Sequence, residues 1–253
     1  MTQITPFLIL GVERSGSFLL AGMLDSHPSI ACGGELMNPL LIEKNELVLS
    51  FADAERCAEL AALRARDSVA FVDAVGAAGV ASGATAVGFK LLFSHLEQAD
   101  ELRDHLVAEK RIRIVHLRRV DLLRRYVSHQ RAIATQQWRR DVGSERPLRR
   151  PAIEIDVHDF VEDVSRIERW ERQGVELFAE HPMLEITYEE LAAAPAPTGR
   201  RVAEFLSVDP DVELEIRDVK TGGDPLDEAV TNLPEVIAHL DRWRAWFDDR
   251  NPT

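Results

Sequence analysis

The chain has 253 residues, 45% of them hydrophobic and 29% charged, which is enough apolar material for one substantial core and too much for a wholly disordered chain. Its formal net charge of −13 sets an average field that repels polyphosphates and argues against general nucleic-acid binding. Cys32 and Cys57 are too few for a disulfide scaffold, no apolar run approaches bilayer length, and the N-terminus lacks the basic start and cleavage region of a secretory signal, so the expectation is a cytoplasmic protein with no transmembrane segment.

The first predicted strand covers Phe7 to Val12, whose near-continuous apolar character suits burial on both faces. A polar turn follows, then a helix from about Gly16 to Ser26 with Phe18, Leu19, Leu20, Met23 and Leu24 at helical spacing; His27-Pro28 stops it. Ser29 to Cys32 reads as a short extended segment, and Gly33-Gly34 as a turn that returns Glu35 toward the end of the first strand. Asn38 to Ala52 signals only weakly. Asp53 to Arg66 is strongly helical, with an acidic start and a basic end that suit the helix dipole. A second alanine-rich helix spans Val69 to Val80, and Ala86 to Leu92, AVGFKLL, is a second core strand.

His95 to Val107 reads as a surface helix, Ile112 to Leu117 as a strand, and Asp121 to Trp138 as the helix that follows Arg118 and Arg119. Arg139 to Pro151 has the charge, glycine and proline of a mobile loop. Asp156 is placed to cap a helix over Phe160 to Ala179, Leu184 to Tyr188 adds a strand, and Pro195 to Thr198 turns the chain into the helix Arg200 to Leu206. Asp209 to Asp227 has weak strand propensity and a polar turn. The last helix, Leu233 to Phe247, carries Val236, Ile237, Leu240, Trp243 and Phe247 as an apolar stripe for core or dimer contacts, so a homodimer through a helix face is possible. This alternation predicts a single α/β domain over residues 1–253, in three layers, with a central mainly parallel sheet flanked by helices and ligands at the carboxyl ends of its strands.

The chemistry concentrates after the first strand. A strand, a glycine-containing turn and a helix N-terminus form a unit that can hold phosphate with backbone N–H groups. Gly11 and Gly16 have the GxxxxG spacing of a nucleotide-triphosphatase loop, but Ser17 stands where that loop needs its Lys and Phe18 where it needs a magnesium-binding hydroxyl. Arg14 supplies the charge instead, as a planar fork suited to phosphate oxygens, with Ser15 and Ser17 as hydroxyl donors. An ordinary strand-to-helix turn with a serine cap is the competing reading of the loop alone. Arg119 at a strand end and Ser128 nine residues on could approach one phosphate from different sides. Asp156, His158 and Asp159 lack the spacing of a zinc-protease helix, and there is no G-x-S-x-G elbow, so no metal and no hydrolase nucleophile are expected.

The segments ERSGSFLL, HPSI, GGELMNP, VGFKLL, VHLRRVDLLRRYVS and ITYEEL, with a looser KTGGDPLDEAVTN, resemble the sulfotransferase family that uses 3'-phosphoadenosine 5'-phosphosulfate (PAPS). They are most similar to its bacterial carbohydrate and glycolipid branch, which includes nodulation-factor and trehalose sulfotransferases. The resemblance implies a P-loop-type fold and sulfuryl transfer from PAPS to a hydroxyl of a carbohydrate, glycolipid or related small molecule, leaving adenosine 3',5'-bisphosphate. It implies that Arg14, Ser15, Gly16 and Ser17 bind the 5'-phosphosulfate, that Arg119 and Ser128 bind the 3'-phosphate, and that Lys220 approaches the donor from a C-terminal loop. Glu35 takes the place of the general base. Lys90, in the family's GFK pattern, either orients the site or pairs with a carboxylate. His27 is a structural link at a helix end or, alternatively, a catalytic histidine, and His116 is a satisfied or partly buried core residue. A magnesium-dependent kinase and a non-catalytic nucleotide-binding module are the alternatives.

Overall fold

A computed structural model describes residues 4–97, 99–138, 147–216 and 224–250, with side chains through residue 241 in the last of these segments. The chain divides into two compact units, Met1–Val120 with Trp170–Asp218, and Asp121–Arg169 with Val219–Thr253.

The chain begins with β1 (Thr5–Gly11), α1 (Ser17–Asp25), β2 (Ile30–Glu35), α2 (Pro39–Glu43), α3 (Ala54–Arg64) and α4 (Ser68–Ala81). Then come β3 (Ala86–Leu92), α5 (Phe93–Leu96), α6 (Asp100–Ala108) and β4 (Arg113–Arg118). Next are α7 (Leu122–Thr135) and α8 (Val157–Leu177), and the unit boundary falls within α8. β5 (Met183–Thr187), α9 (Tyr188–Ala193) and α10 (Pro195–Phe205) belong to the first unit; α11 (Leu226–Ala229) and α12 (Leu233–Arg250) belong to the second. Local chemistry explains the clearest boundaries. The Asp53, Asp67 and Asp121 carboxylates accept from the N–H groups of Arg56, Ala70 and Arg124, capping α3, α4 and α7. At α9, Thr187 and Glu190 form a reciprocal capping box.

All five strands run parallel in the order β2-β3-β1-β4-β5. The core of the first unit joins Phe7 and Ile9 of β1, Leu20, Met23 and Leu24 of α1, Val115 and Leu117 of β4, and Val202 and Leu206 at α10. The order reverses at β1, whose two neighbours β3 and β4 lie on opposite sides, and crevices at such a reversal are where open parallel sheets bind ligands. In the second unit, Tyr126, Val127, Ile155, Phe160, Val230 and Val236 form a separate apolar cluster. Ile153 bridges Val230 in parallel there, and the Asn232 amide bonds both the N–H and the carbonyl of Ile155. No described helix is long and apolar enough to cross a membrane.

Several expectations need correction. Gly33-Gly34 is not a turn but part of β2, which pairs with β3 through an irregularity between Gly33 and Glu35. Pro195 to Thr198 is the first turn of α10, with proline at the helix start where its missing N–H costs nothing. The expected helix over His95 to Val107 is instead α5 and α6: Phe93, His95 and Leu96 are buried, and the acids Asp100 and Glu101 open a new helix. Ile237 leaves the apolar stripe, being 47% exposed while Val236 is fully buried. The side chains of Trp243 and Phe247, residues 139–146 of the expected loop, and Lys220 lie outside the described residues.

Candidate active site

Beyond β1 the chain turns through residues 12–16 with left-handed backbone at Arg14 (φ 68°) and Gly16 (φ 89°). Gly16 is required twice over, since a Cβ there would be strained at this φ and would sit 2.6 Å from Cδ2 of Tyr188. It is the N-cap of α1 without a capping side chain, and the first turn of the helix contains no acid to offset the positive end of its dipole. Ser15 is fully buried and its hydroxyl lacks a hydrogen-bond partner among the described residues. An uncapped helix start with an orphaned hydroxyl beside it fits an oxyanion such as a phosphosulfate.

The parallel register sets Glu35 of β2 against Lys90 of β3. Lys90 Nζ lies 2.5 Å from Glu35 Oε1 and 3.5 Å from the centre of the Phe18 ring, so this fully buried ammonium is held between a carboxylate and an aromatic face. The Asn38 amide donates to the other oxygen, Oε2, at 2.8 Å. A carboxylate has about four lone-pair sites, and these bonds engage one at each oxygen, leaving capacity for a substrate hydroxyl. The Glu35 side chain is 12% exposed. Burial by itself would raise its pKa, but the charge and hydrogen bond of Lys90, with the Asn38 bond and a weaker contribution from His95, hold the carboxyl below its ordinary range. Lys90 is lowered by burial, opposed by Glu35 and Glu13. His95 is lowered by burial, with Glu35 and Glu13 opposing. Glu13 accepts from the Ser94 hydroxyl at 2.7 Å.

Arg119, just past β4, reaches back to the loop after β1: its Nη1 donates to the Arg14 carbonyl at 2.9 Å, and its guanidinium stacks 4.4 Å from the Tyr188 ring centre. Loops from the carboxyl ends of β1 and β4 are thereby tied together where the strand order reverses. Ser128 lies on α7 of the second unit.

An acid-free helix start behind a glycine turn, a carboxylate paired to a buried lysine, and an arginine from the adjoining strand converge in the first unit, and the sulfotransferase family model matches residues 6–212. The chain belongs to the sulfotransferase family. Among solved structures, the sulfotransferase is similar to one from Alicyclobacillus acidocaldarius, at 16% identity over 89% of this chain and 87% of that one, with a TM-score of 0.50. It is also similar to the sulfotransferase domain of the curacin biosynthetic pathway, at 17% identity over 90% and 82% of the two chains and a TM-score of 0.46. A third is the sulfotransferase domain of the Synechococcus PCC 7002 olefin synthase, at 18% identity over 93% and 84% and a TM-score of 0.49. At 16% identity the first of these likenesses is one of fold. No curated protein matches the chain.

Of the residues singled out from the sequence, Arg14, Ser15, Gly16, Ser17, Glu35, Lys90 and Arg119 lie in the first unit, and the geometry links Glu35 with Lys90 and Arg119 with Arg14. His27 has both ring nitrogens engaged, Nδ1 accepting from the Ser29 N–H and Nε2 meeting the Asp209 carbonyl, each at 3.0 Å, which is the structural role. His116 is buried but not satisfied, since neither ring nitrogen has a hydrogen-bond partner, and burial lowers its pKa to about 4. Sequence reasoning missed Asn38, Ser94 and His95 as neighbours of the charged pair, and read Phe18 as an apolar helix position and a missing hydroxyl, not as a face for Lys90. Asn38-Pro39 is a recognisable helix start, and the Asn38 side chain does accept from the Leu40 N–H, but nothing local shows that its amide turns back to Glu35.

Proposed function

We propose that the chain is a PAPS-dependent sulfotransferase of the bacterial carbohydrate and glycolipid type, acting on a hydroxyl of a sugar, glycolipid or related small molecule. Family membership supports the reaction class, and the observation that carries the mechanism is the Glu35 carboxylate held ionised between Lys90 and Asn38. Glu35 takes the proton of the acceptor hydroxyl as that oxygen attacks sulfur. The new O–S bond forms as the bond from sulfur to the bridging phosphate oxygen breaks, and adenosine 3',5'-bisphosphate leaves with the bonding electrons. Arg14 and the start of α1 offset charge developing on the leaving phosphate, while Lys90 is the buried cation at the transfer site. Arg119 is assigned to the 3'-phosphate, and Ser128 and Lys220 keep the donor-binding roles that the sequence resemblance gives them.

Labelled PAPS incubated with a panel of monosaccharides, disaccharides and glycolipids tests this directly. Label should move to an acceptor with release of the bisphosphate. Absence of donor binding at high protein concentration would sink the assignment, and magnesium-dependent transfer from ATP would favour a kinase instead. Nothing in the geometry supports the kinase: the Phe18 ring, at the position of the usual metal-binding hydroxyl, is applied to Lys90.

A further inference from the structure

Arg64, the last residue of α3, is 4% exposed, and its guanidinium donates to three main-chain carbonyls, those of Leu36 at 2.9 Å and of Leu41 and Glu46 at 2.8 Å. It forms no ion pair among the described residues; its guanidinium carbon lies 5.7 Å from the centre of the Phe71 ring and its Nε is unpartnered, so its hydrogen bonds all go to one stretch of backbone. That stretch leaves the sheet at Glu35. The clamped carbonyl of Leu36 belongs to the next residue, and the Leu41 carbonyl also accepts from the Glu46 N–H, closing the excursion on itself. Within it, Asn38 caps α2 through its side-chain oxygen and uses its amide on Glu35 Oε2.

We propose that Arg64 is a positioning residue for Glu35: its guanidinium fixes the backbone of residues 36–46, and through Asn38 that backbone fixes the second oxygen of the Glu35 carboxylate. Lys90, on β3, holds the first oxygen independently. The carboxylate is thus gripped from two elements, and only one grip depends on Arg64. Misplacement of a reacting group by about 1 Å can cost on the order of 100-fold in rate, so a clamp this far from the chemistry has catalytic leverage. Lysine at position 64 keeps the charge but offers a point donor in place of a fork, and cannot span three carbonyls in the same way.

The catalytic consequence rests on reading Glu35 as the proton acceptor; the positioning itself does not, and one experiment separates them. The full-length protein, labelled at its glutamate side-chain carboxyl carbons, is titrated by NMR, with the Glu35 signal identified by its loss in Glu35→Gln. The charged groups around this carboxylate are Lys90 from β3 and His95 from α5, with Glu13 and Arg14 beyond Lys90 on the loop after β1. In Arg64→Lys and in Asn38→Ala the Glu35 midpoint should rise by roughly half a pH unit or more, because a hydrogen bond to the charged form is lost. The double variant should rise no further than either single one, the signature of one shared path. With the best sugar acceptor of the panel, kcat in Arg64→Lys should fall about 10- to 100-fold, while calorimetric binding of adenosine 3',5'-bisphosphate stays within about twofold. An unmoved Glu35 midpoint in folded Arg64→Lys or Arg64→Gln, alongside a shifted one in Asn38→Ala, would reduce Arg64 to a structural role and overturn the proposal. A shifted midpoint in Arg64→Lys together with wild-type turnover in Glu35→Gln would uphold the positioning and remove Glu35 as the base.

Discussion

Two buried ion pairs among the described residues differ in what surrounds the carboxylate. In the first unit, Lys90 meets Glu35, whose two oxygens each accept one bond and whose side chain retains some exposure. In the second, Asp163 is shared between the buried Arg125 and the half-exposed Arg166 and is itself 6% exposed. Each Asp163 oxygen accepts from a guanidinium, Oδ2 from Arg125 and Oδ1 from Arg166, so the carboxylate sits between two cations and ties α7 to α8. Glu35 faces one cation and one neutral amide and is the more exposed of the two, 12% against 6%, which suits the proposed proton acceptor. A carboxylate held between two cations is a structural tie, whereas one with a single cation and an opening to solvent can meet a substrate hydroxyl.

The contrast can be broken most forcefully at the first pair. Glu35→Gln keeps an acceptor for Lys90 but cannot take a proton, so kcat should fall by about 100- to 10,000-fold, while calorimetric binding of adenosine 3',5'-bisphosphate changes little. Equal losses in rate and binding would erase the distinction. Arg125→Ala tests the second pair and should destabilise the protein by roughly 3–5 kcal/mol in chemical denaturation, because it leaves a buried carboxylate short of a partner. The paired change Arg125→Met with Asp163→Leu should recover most of that loss; if it does not, the pair is more than structural.

His116 sharpens the comparison as a buried group whose ring nitrogens lack hydrogen bonds among the described residues, Nδ1 lying 3.7 Å from Glu185 Oε2. Its ordinary pKa of 6.5 falls to about 4 in the folded protein, so as pH drops through that window the unfolded chain takes up a proton that the folded chain refuses. Stability should therefore be unaffected by this residue above pH 6.5 and fall by roughly 3 kcal/mol as pH approaches 4. In His116→Leu that part of the acid loss should vanish from denaturation curves measured across the window; an unchanged profile would assign it elsewhere. The smallest effect expected is that of Arg119→Ala, which should weaken bisphosphate binding about 10- to 100-fold through loss of charge-assisted hydrogen bonds. Calorimetry reads it, and unchanged affinity would remove Arg119 from the donor site.

The sequence by itself determined the strands and the polar ends they lead to. The near-continuous apolar runs at Phe7 to Val12, Ala86 to Leu92 and Ile112 to Leu117 are long enough and apolar enough to have no place except an inner parallel sheet, and the spacing of Gly11, Arg14 and Gly16 makes the turn after the first strand a candidate anion loop. The acid-led, base-ended helix α3 was legible for the same reason: helix dipoles act within one turn of the chain. What only the tertiary structure decided is which polar groups share a partner. Register between β2 and β3 joins Glu35 to Lys90 across 55 residues, the α1 helix lays Phe18 on that lysine, and Arg64 reaches the carbonyl of Leu36 across 28. The same is true of Gly33-Gly34, where pairing with β3 overrides the turn propensity of two glycines, and of His116, whose burial without a hydrogen bond depends on neighbours from other elements. Local propensity is written within a few residues, whereas a hydrogen bond between distant residues exists only once the sheet has fixed their backbones.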